Sequence, residues 1–151
     1  MHELSLSKAT YKSILEILKQ RNKTLNELKE VILAIGEIQN IDIDLFLQSL
    51  QEYLLNIKVS YKIIKAKIRC NKCLNEWYYG DSLNILNEDQ KESIHFIPET
   101  IYLFIRCNKC NSNDFEIIDG RGIFIINYNI HSIFQFSNTR ASYSISIFNN
   151  T

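Results

Sequence analysis

Arg69-Cys70-Asn71-Lys72-Cys73 recurs as Arg106-Cys107-Asn108-Lys109-Cys110, and these two copies hold all four cysteines of the chain. A Cys-x-x-Cys turn sets two sulfurs on one side of a tight knuckle. Two such knuckles complete a tetrahedron around a single metal ion. The spacing therefore predicts a site for Zn²⁺ built from Cys70, Cys73, Cys107 and Cys110. A closed Cys₄ site has no open position for a substrate, so its metal serves the fold. Four thiolates and Zn²⁺ sum to roughly −2, and Arg69, Lys72, Arg106 and Lys109 are expected to offset that charge.

Two other uses of such hooks were weighed. Rubredoxin-type iron hooks are usually followed by Gly, with Pro inside the second, whereas Leu74 and Asn111 follow the hooks here. Ligand type alone does not decide, because a tetrahedral S₄ cage admits zinc or iron. Redox-active cysteine pairs are the third reading. Paired hooks in a chain expected to lack a signal peptide read as metal ligands and not disulfides.

Working outward from the hooks, the rest of the chain reads as α+β. Leu4, Tyr11, Ile14, Leu15 and Leu18 recur at helical spacing, with Lys8, Lys12, Glu16 and Lys19 opposite. Leu28–Ile35 is a nearly continuous apolar run ending at Gly36, which suits a strand buried on both faces. Asp42 and Asp44 suit the start of a second helix, carried by Phe46, Leu50, Tyr53, Leu54 and Ile57. Tyr61–Ile68 alternates as a strand leading into Cys70. Between the hooks, residues 80–92 read as loop, Trp77-Tyr78-Tyr79 as an apolar patch and Thr100–Ile105 as a strand. Phe115–Ile118 and Ile123–Tyr128 are two further strand segments about Gly120-Arg121-Gly122.

The expected architecture is two helices packed on a small, mostly antiparallel sheet with an inserted Cys₄ zinc-ribbon-like module. Residues 1–68 plus 112–130 form the α+β domain, 69–111 the module, and 131–151, which holds His131, a tail of uncertain order. A chain of 151 residues suits one domain, or one domain with a small metal-held module. Bases and acids number 17 each, which argues against a duplex nucleic-acid binder. No secretory signal and no membrane span are legible, so the cytoplasm is the expected compartment. No nucleophile–base pair or phosphate loop is visible, so no enzymatic activity is expected.

Met1-His2-Glu3 has a bland reading, a start followed by two ordinary surface residues, because three-residue motifs match often by chance. Its chemistry gives a second reading. A bulky residue at position 2 blocks removal of the initiator Met, so the Met1 amine should persist. That amine, the His2 backbone nitrogen and the His2 imidazole can chelate one ion through fused rings. Nitrogen-rich, roughly planar ligation suits Ni(II) or Cu(II). A fourth position stays open for Glu3, another His or an exchanging ligand.

With Met1-His2-Glu3 opening a helix, Gly36-Glu37-Ile38 after the first strand and two strand-flanked Cys-x-x-Cys hooks, the chain resembles the HypA/HybF family of hydrogenase nickel-incorporation proteins. Ile94-His95-Phe96-Ile97-Pro98-Glu99, Asp114-Phe115-Glu116 and Gly120-Arg121-Gly122 resemble its longer, archaeal form. The resemblance runs from residue 1 to about residue 128, and the tail Asn129–Thr151 departs from it.

The resemblance implies a nickel metallochaperone with a nickel-binding α+β domain. It implies Ni²⁺ as cargo at His2, with Glu3 its neighbour, and zinc on Cys70, Cys73, Cys107 and Cys110. It implies a GTPase partner and the large subunit of [NiFe]-hydrogenase as client, with urease as a further client in some members. Monomer or weak homodimer is the expected state. His95 has two readings: a packed structural His, or a further nickel ligand reaching the ion at His2. Two competing functions fit the same residues: a zinc-ribbon nucleic-acid module, and a protein-interaction adaptor using Trp77–Tyr79 as its contact surface.

Overall fold

The computed structural model describes residues 2–130, which form two compact units. Among these, the first unit takes residues 2–34, 41–62 and 123–130; the second takes 35–40 and 63–122. The second begins before the first hook and ends after Gly120, and so is larger than the expected 69–111 module. The reason is that one strand runs into the first hook, another leaves it and a third follows the second hook, and these three strands form one sheet. The expectations for Met1 and for 131–151, His131 included, lie outside the described residues.

In the first unit, helix α1 (His2–Gln20) buries Leu6, Ser7, Thr10, Ile14, Ile17 and Leu18. This face is rotated from the stripe read in the sequence, since Leu4 and Leu15 are exposed. Two hydroxyl residues explain the error. Thr10 Oγ1 donates to the Leu6 carbonyl and Ser7 Oγ to the Leu4 carbonyl, both at 2.8 Å, so polar side chains are buried with their bonds satisfied. Ser7 Oγ also lies 2.6 Å from Ser49 Oγ. The Ser7 proton is already spent on Leu4, so Ser49 is the donor there.

Helix α2 (Ile43–Leu54) packs along α1, with Tyr11 and Tyr53 stacked at 4.7 Å between ring centres. Asp42 caps it as read: its Oδ1 accepts the Leu45 N–H at 3.0 Å. Phe46, Leu50 and Leu54, four residues apart, are fully buried. Strand β1 (Leu28–Gly36) is the middle strand of a three-stranded sheet in the order β2-β1-β6, with β2 spanning Lys58–Ile64 and β6 Ile123–Ile130. β1 is paired along both edges, and its consecutive buried residues Leu33, Ala34 and Ile35 show both faces covered at that end.

In the second unit, β3 (Lys67–Cys70) pairs antiparallel with β4 (Glu76–Tyr78) on one side and β5 (Phe115–Asp119) on the other. The expected strand Tyr61–Ile68 is broken at Lys65-Ala66, so β2 and β3 belong to different sheets. Ala66 is held there by a side chain: its N–H donates to Glu37 Oε2 at 2.7 Å. The backbone is crowded at this point. A Cβ on Gly36 would collide with the Gly120 carbonyl, and one on Gly120, whose φ is +79°, with the Ala66 Cα.

The stretch between the hooks is helical, which corrects two expectations. Residues 80–92 are a 3-10 segment (Tyr79–Ile85) followed by α3 (Glu88–Phe96). An Asn87/Gln90 capping box starts α3: Asn87 Oδ1 accepts the Gln90 N–H and Gln90 Oε1 the Asn87 N–H. Thr100–Ile105 is not a strand: Pro98 opens a turn that runs into α4 (Ile101–Phe104). Its β-branched content invited the strand reading, but Ile101 and Ile105 lie four apart and bury the same helical face.

The Trp77–Tyr79 contact surface is also corrected. Trp77 and Tyr79 are buried and only Tyr78 is exposed, as strand alternation demands. Trp77 Nε1 donates to Ser82 Oγ, and its ring meets Phe115 edge-on. No helix among the described residues is long and apolar enough to cross a membrane.

Candidate metal centre

Both hooks fold the same way, as their identical sequences require. Cys70 N–H donates to the Asn75 carbonyl and Cys107 N–H to the Ser112 carbonyl, both at 2.8 Å. Leu74 N–H returns to the Cys70 carbonyl and Asn111 N–H to that of Cys107, with φ of +62° at Leu74 and +60° at Asn111. The left-handed residue at the end of each hook turns the chain back, aiming both sulfurs of a hook the same way.

Cross-bonds set the hooks against each other. Asn71 N–H donates to the Asp114 carbonyl and Asn71 Nδ2 to Asp114 Oδ1, both at 2.9 Å, and Asn75 Nδ2 donates to Asn108 Oδ1. The four sulfurs end within 4.8 Å of one another. Cys70 and Cys110 Sγ are 3.5 Å apart, and Cys73 and Cys107 Sγ 3.6 Å. A tetrahedron with bonds of about 2.3 Å has edges of about 3.8 Å, so the donor set fits Zn²⁺. All four positions are filled by thiolate, and zinc held there links the two hooks covalently in effect.

For the two arginines the charge compensation differs from that expected. Arg69 is paired with Glu116 across β3–β5 at 2.5 Å, and Arg106 Nη1 points at the Asn111 carbonyl. Backbone amides face the sulfurs instead: Cys73 N–H lies 3.5 Å from Cys70 Sγ and Lys109 N–H 3.4 Å from Cys107 Sγ. The Cys73 amide pulls the Cys70 thiol below its usual range. Burial pushes Cys107 up, yet the amides of Cys110 and Lys109 and the neighbouring thiols outweigh it and bring it to about 6. The Ser112 amide lowers Cys110, but proximity to Cys70, burial and the other two thiols push it up to about 11. Amide donors favour thiolate, which is the ligating form.

The residues read as nickel ligands occupy two places. His2 and Glu3 form the first turn of α1. Glu3 is buried, and its Oε1 accepts the Asp42 N–H at 3.1 Å, tying the start of α1 to the start of α2. Its own amide and that of Asp42 hold its carboxyl below the ordinary range, against the effect of burial. His95 lies in the last turn of α3 in the second unit, half-buried, with Nδ1 at 3.1 Å from the Gln39 carbonyl. A carbonyl only accepts, so Nδ1 carries the proton and Nε2 the lone pair of the neutral ring. The braces through Asn71, Asn75 and Asp114, and the Gln39 carbonyl, had no sequence signal, since each partner is supplied by a distant segment.

The fold and the thiol cluster define a small α+β protein built to hold a metal in a closed site. A family model described as "Hydrogenase/urease nickel incorporation, metallochaperone, hypA" matches residues 1–130. The chain is 30% identical to the hydrogenase maturation factor HypA of Thermococcus sibiricus over 135 residues, covering 83% of this chain and 93% of that one. It is 30% identical to that of Pyrococcus horikoshii over 130 residues, covering 83% and 92%. It shares its fold with the solved solution structure of a HypA protein, with a TM-score of 0.53 at 17% identity over 87% of this chain and 97% of that one. The chain belongs to the HypA family of nickel-incorporation metallochaperones.

Proposed function

We propose that the protein binds Ni(II) at its N-terminus and delivers it during maturation of [NiFe]-hydrogenase, while Zn²⁺ on Cys70, Cys73, Cys107 and Cys110 stays in place. The observation that carries this is the family match, which starts at residue 1 and so includes Met1-His2-Glu3. The nickel ligands are the Met1 amine and the backbone nitrogen and imidazole of His2. Glu3 and His95 are the candidates for the remaining positions, and the first unit, which carries α1, is the nickel-binding domain.

The Glu3 geometry supports a divided role. One carboxylate oxygen takes the Asp42 amide, which fixes the turn that carries His2. His95 has its Nδ1 on a backbone carbonyl, the orientation that ligating histidines commonly have. The protein works in the cytoplasm with a nickel-pathway GTPase and the hydrogenase large subunit. Any nucleotide hydrolysis belongs to that partner, and this chain acts as carrier and not as enzyme.

Nickel titration of zinc-loaded protein with a native N-terminus tests the reading. One equivalent should bind, and His2→Ala should abolish it with zinc content and fold unchanged. A residue placed ahead of Met1 should weaken binding by removing the amine donor. Loss of zinc and nickel together on His2→Ala refutes two independent sites.

A further inference from the structure

The second unit contains a cavity of about 230 Å³ between the Glu37–Gln39 turn, Tyr79 and α3. That is below the roughly 300–1,000 Å³ of sites for drug-sized ligands, and suits a molecule of amino-acid size. Glu37 spends only one oxygen on the protein, Oε2 on the Ala66 amide. Among the described residues nothing donates to Glu37 Oε1, and the Tyr79 hydroxyl and the Asn40 side-chain amide make no hydrogen bond either. Lys91 supplies the positive charge on the same walls. Its ammonium is 2.9 Å from Glu88 Oε1, but Glu88 is 89% exposed, and an exposed pair of this kind holds its lysine weakly. Ile38 and Ile94, both about 1% exposed, give the cavity an apolar side.

A simple anion entering here meets the charge of Glu37, and a simple cation meets that of Lys91. A molecule carrying both charges on one carbon satisfies both walls. We propose that this cavity binds a free α-amino acid as its zwitterion, with Glu37 taking the ammonium, Lys91 the carboxylate, and Ile38 and Ile94 an apolar side chain. Tyr79 offers a hydroxyl beside the ammonium. Burial and the charge of Glu37 push its pKa up, so the hydroxyl keeps its proton. The ligand would brace the Glu37–Gln39 turn against α3, the same two elements that His95 bridges through the Gln39 carbonyl. The site is therefore suited to an effector of this unit, and it does not rest on the nickel reading.

The test is a titration of zinc-loaded, nickel-free full-length protein with L-leucine, followed by amide and aromatic NMR shifts and by calorimetry. Saturable binding is expected, with shifts centred on Glu37, Tyr79 and Ile94. N-acetyl-L-leucine, which lacks the ammonium, and L-leucinamide, which lacks the carboxylate, should each bind at least about tenfold more weakly. Lys91→Met, a surface change that leaves the fold alone, should weaken L-leucine by a similar factor. Glu37→Gln keeps an acceptor for the Ala66 amide and should weaken it as well. Absence of saturable binding overturns the proposal, as does equal affinity for the acetylated and free amino acid. His2→Ala should leave this titration unchanged while removing nickel, so failure of one reading is distinguishable from failure of the other.

Discussion

The twin hooks and the first turn of α1 hold metal-competent residues in opposite ways. At the hooks every donor comes from a turn that is repeated and cross-bonded. Asn71, Asn75 and Asp114 lock the knuckles before any metal is considered. At the start of α1, His2 is carried on the first turn of the helix, beside Glu3, whose carboxylate accepts the Asp42 N–H. A site fixed on four sides suits a metal that is kept, because each ligand would have to be displaced against the fold. On the nickel reading proposed above, a site on one helical turn suits a metal that is passed on, because it draws on fewer separately braced segments.

Breaking the hooks should give the largest effect. Cys107→Ser removes a buried ligand, and structural zinc in such sites is worth on the order of 10 kcal/mol of folding free energy. The expected outcome is loss of zinc by elemental analysis and loss of native shifts in the second unit, with the α1–α2 pair retained. If the second unit keeps its native spectrum without zinc, the hooks are not what holds it.

The next effect concerns protons. At pH 7 Cys107, at about 6, is mostly thiolate, whereas Cys110, at about 11, is protonated. Zinc uptake by apo protein near pH 7 should therefore expel protons, and a pH indicator in weak buffer measures them. As pH falls through 6, Cys107 also gains a proton, so zinc affinity should drop more steeply below that point than above it. An affinity that does not change between pH 8 and about 5.5 contradicts this.

A smaller effect sharpens the contrast at the N-terminus. Glu3→Ala leaves the Asp42 amide without its acceptor and should cost about 1–3 kcal/mol by denaturant unfolding of the first unit. Glu3→Gln retains a neutral acceptor and should cost less. Because the folded carboxyl is held below its ordinary value, its contribution is full above that value and fades as pH falls through the lowered one. The difference between wild type and Glu3→Gln should shrink in that acid window. Asn71→Ala should cost the least, about 1 kcal/mol, since its side chain makes a single exposed bond to Asp114.

The family resemblance was legible because its motifs are local: hooks of five residues, three residues at the start, a glycine turn. Helix α2 was legible too, from Asp42 and the spacing of Phe46, Leu50 and Leu54. The errors share a cause. Thr100–Ile105 was read from β-branched content, and Pro98 with the Ile101/Ile105 pair overrode that propensity. The Asn87-x-x-Gln90 box was in the sequence, but it announces a helix only when the following residues find a core, and Ile94 alone is buried from α3.

The sequence by itself determined which atoms can hold metal, because thiolate, imidazole and amine are properties of residues, and two-residue gaps bring sulfurs together without help from the rest of the chain. Only the tertiary structure decided how those atoms are held. It engaged Arg69 and Arg106 away from the thiolates, turned backbone amides toward the sulfurs and set Glu3 on the Asp42 N–H. It also fixed the proton of His95 on Nδ1 by offering it the Gln39 carbonyl. The Glu3 and His95 bonds join segments far apart in the chain, where a donor or acceptor chooses its partner by position in space, which no local pattern specifies. The amide–sulfur bonds lie within each hook and follow from the turn geometry that the folded knuckle sets.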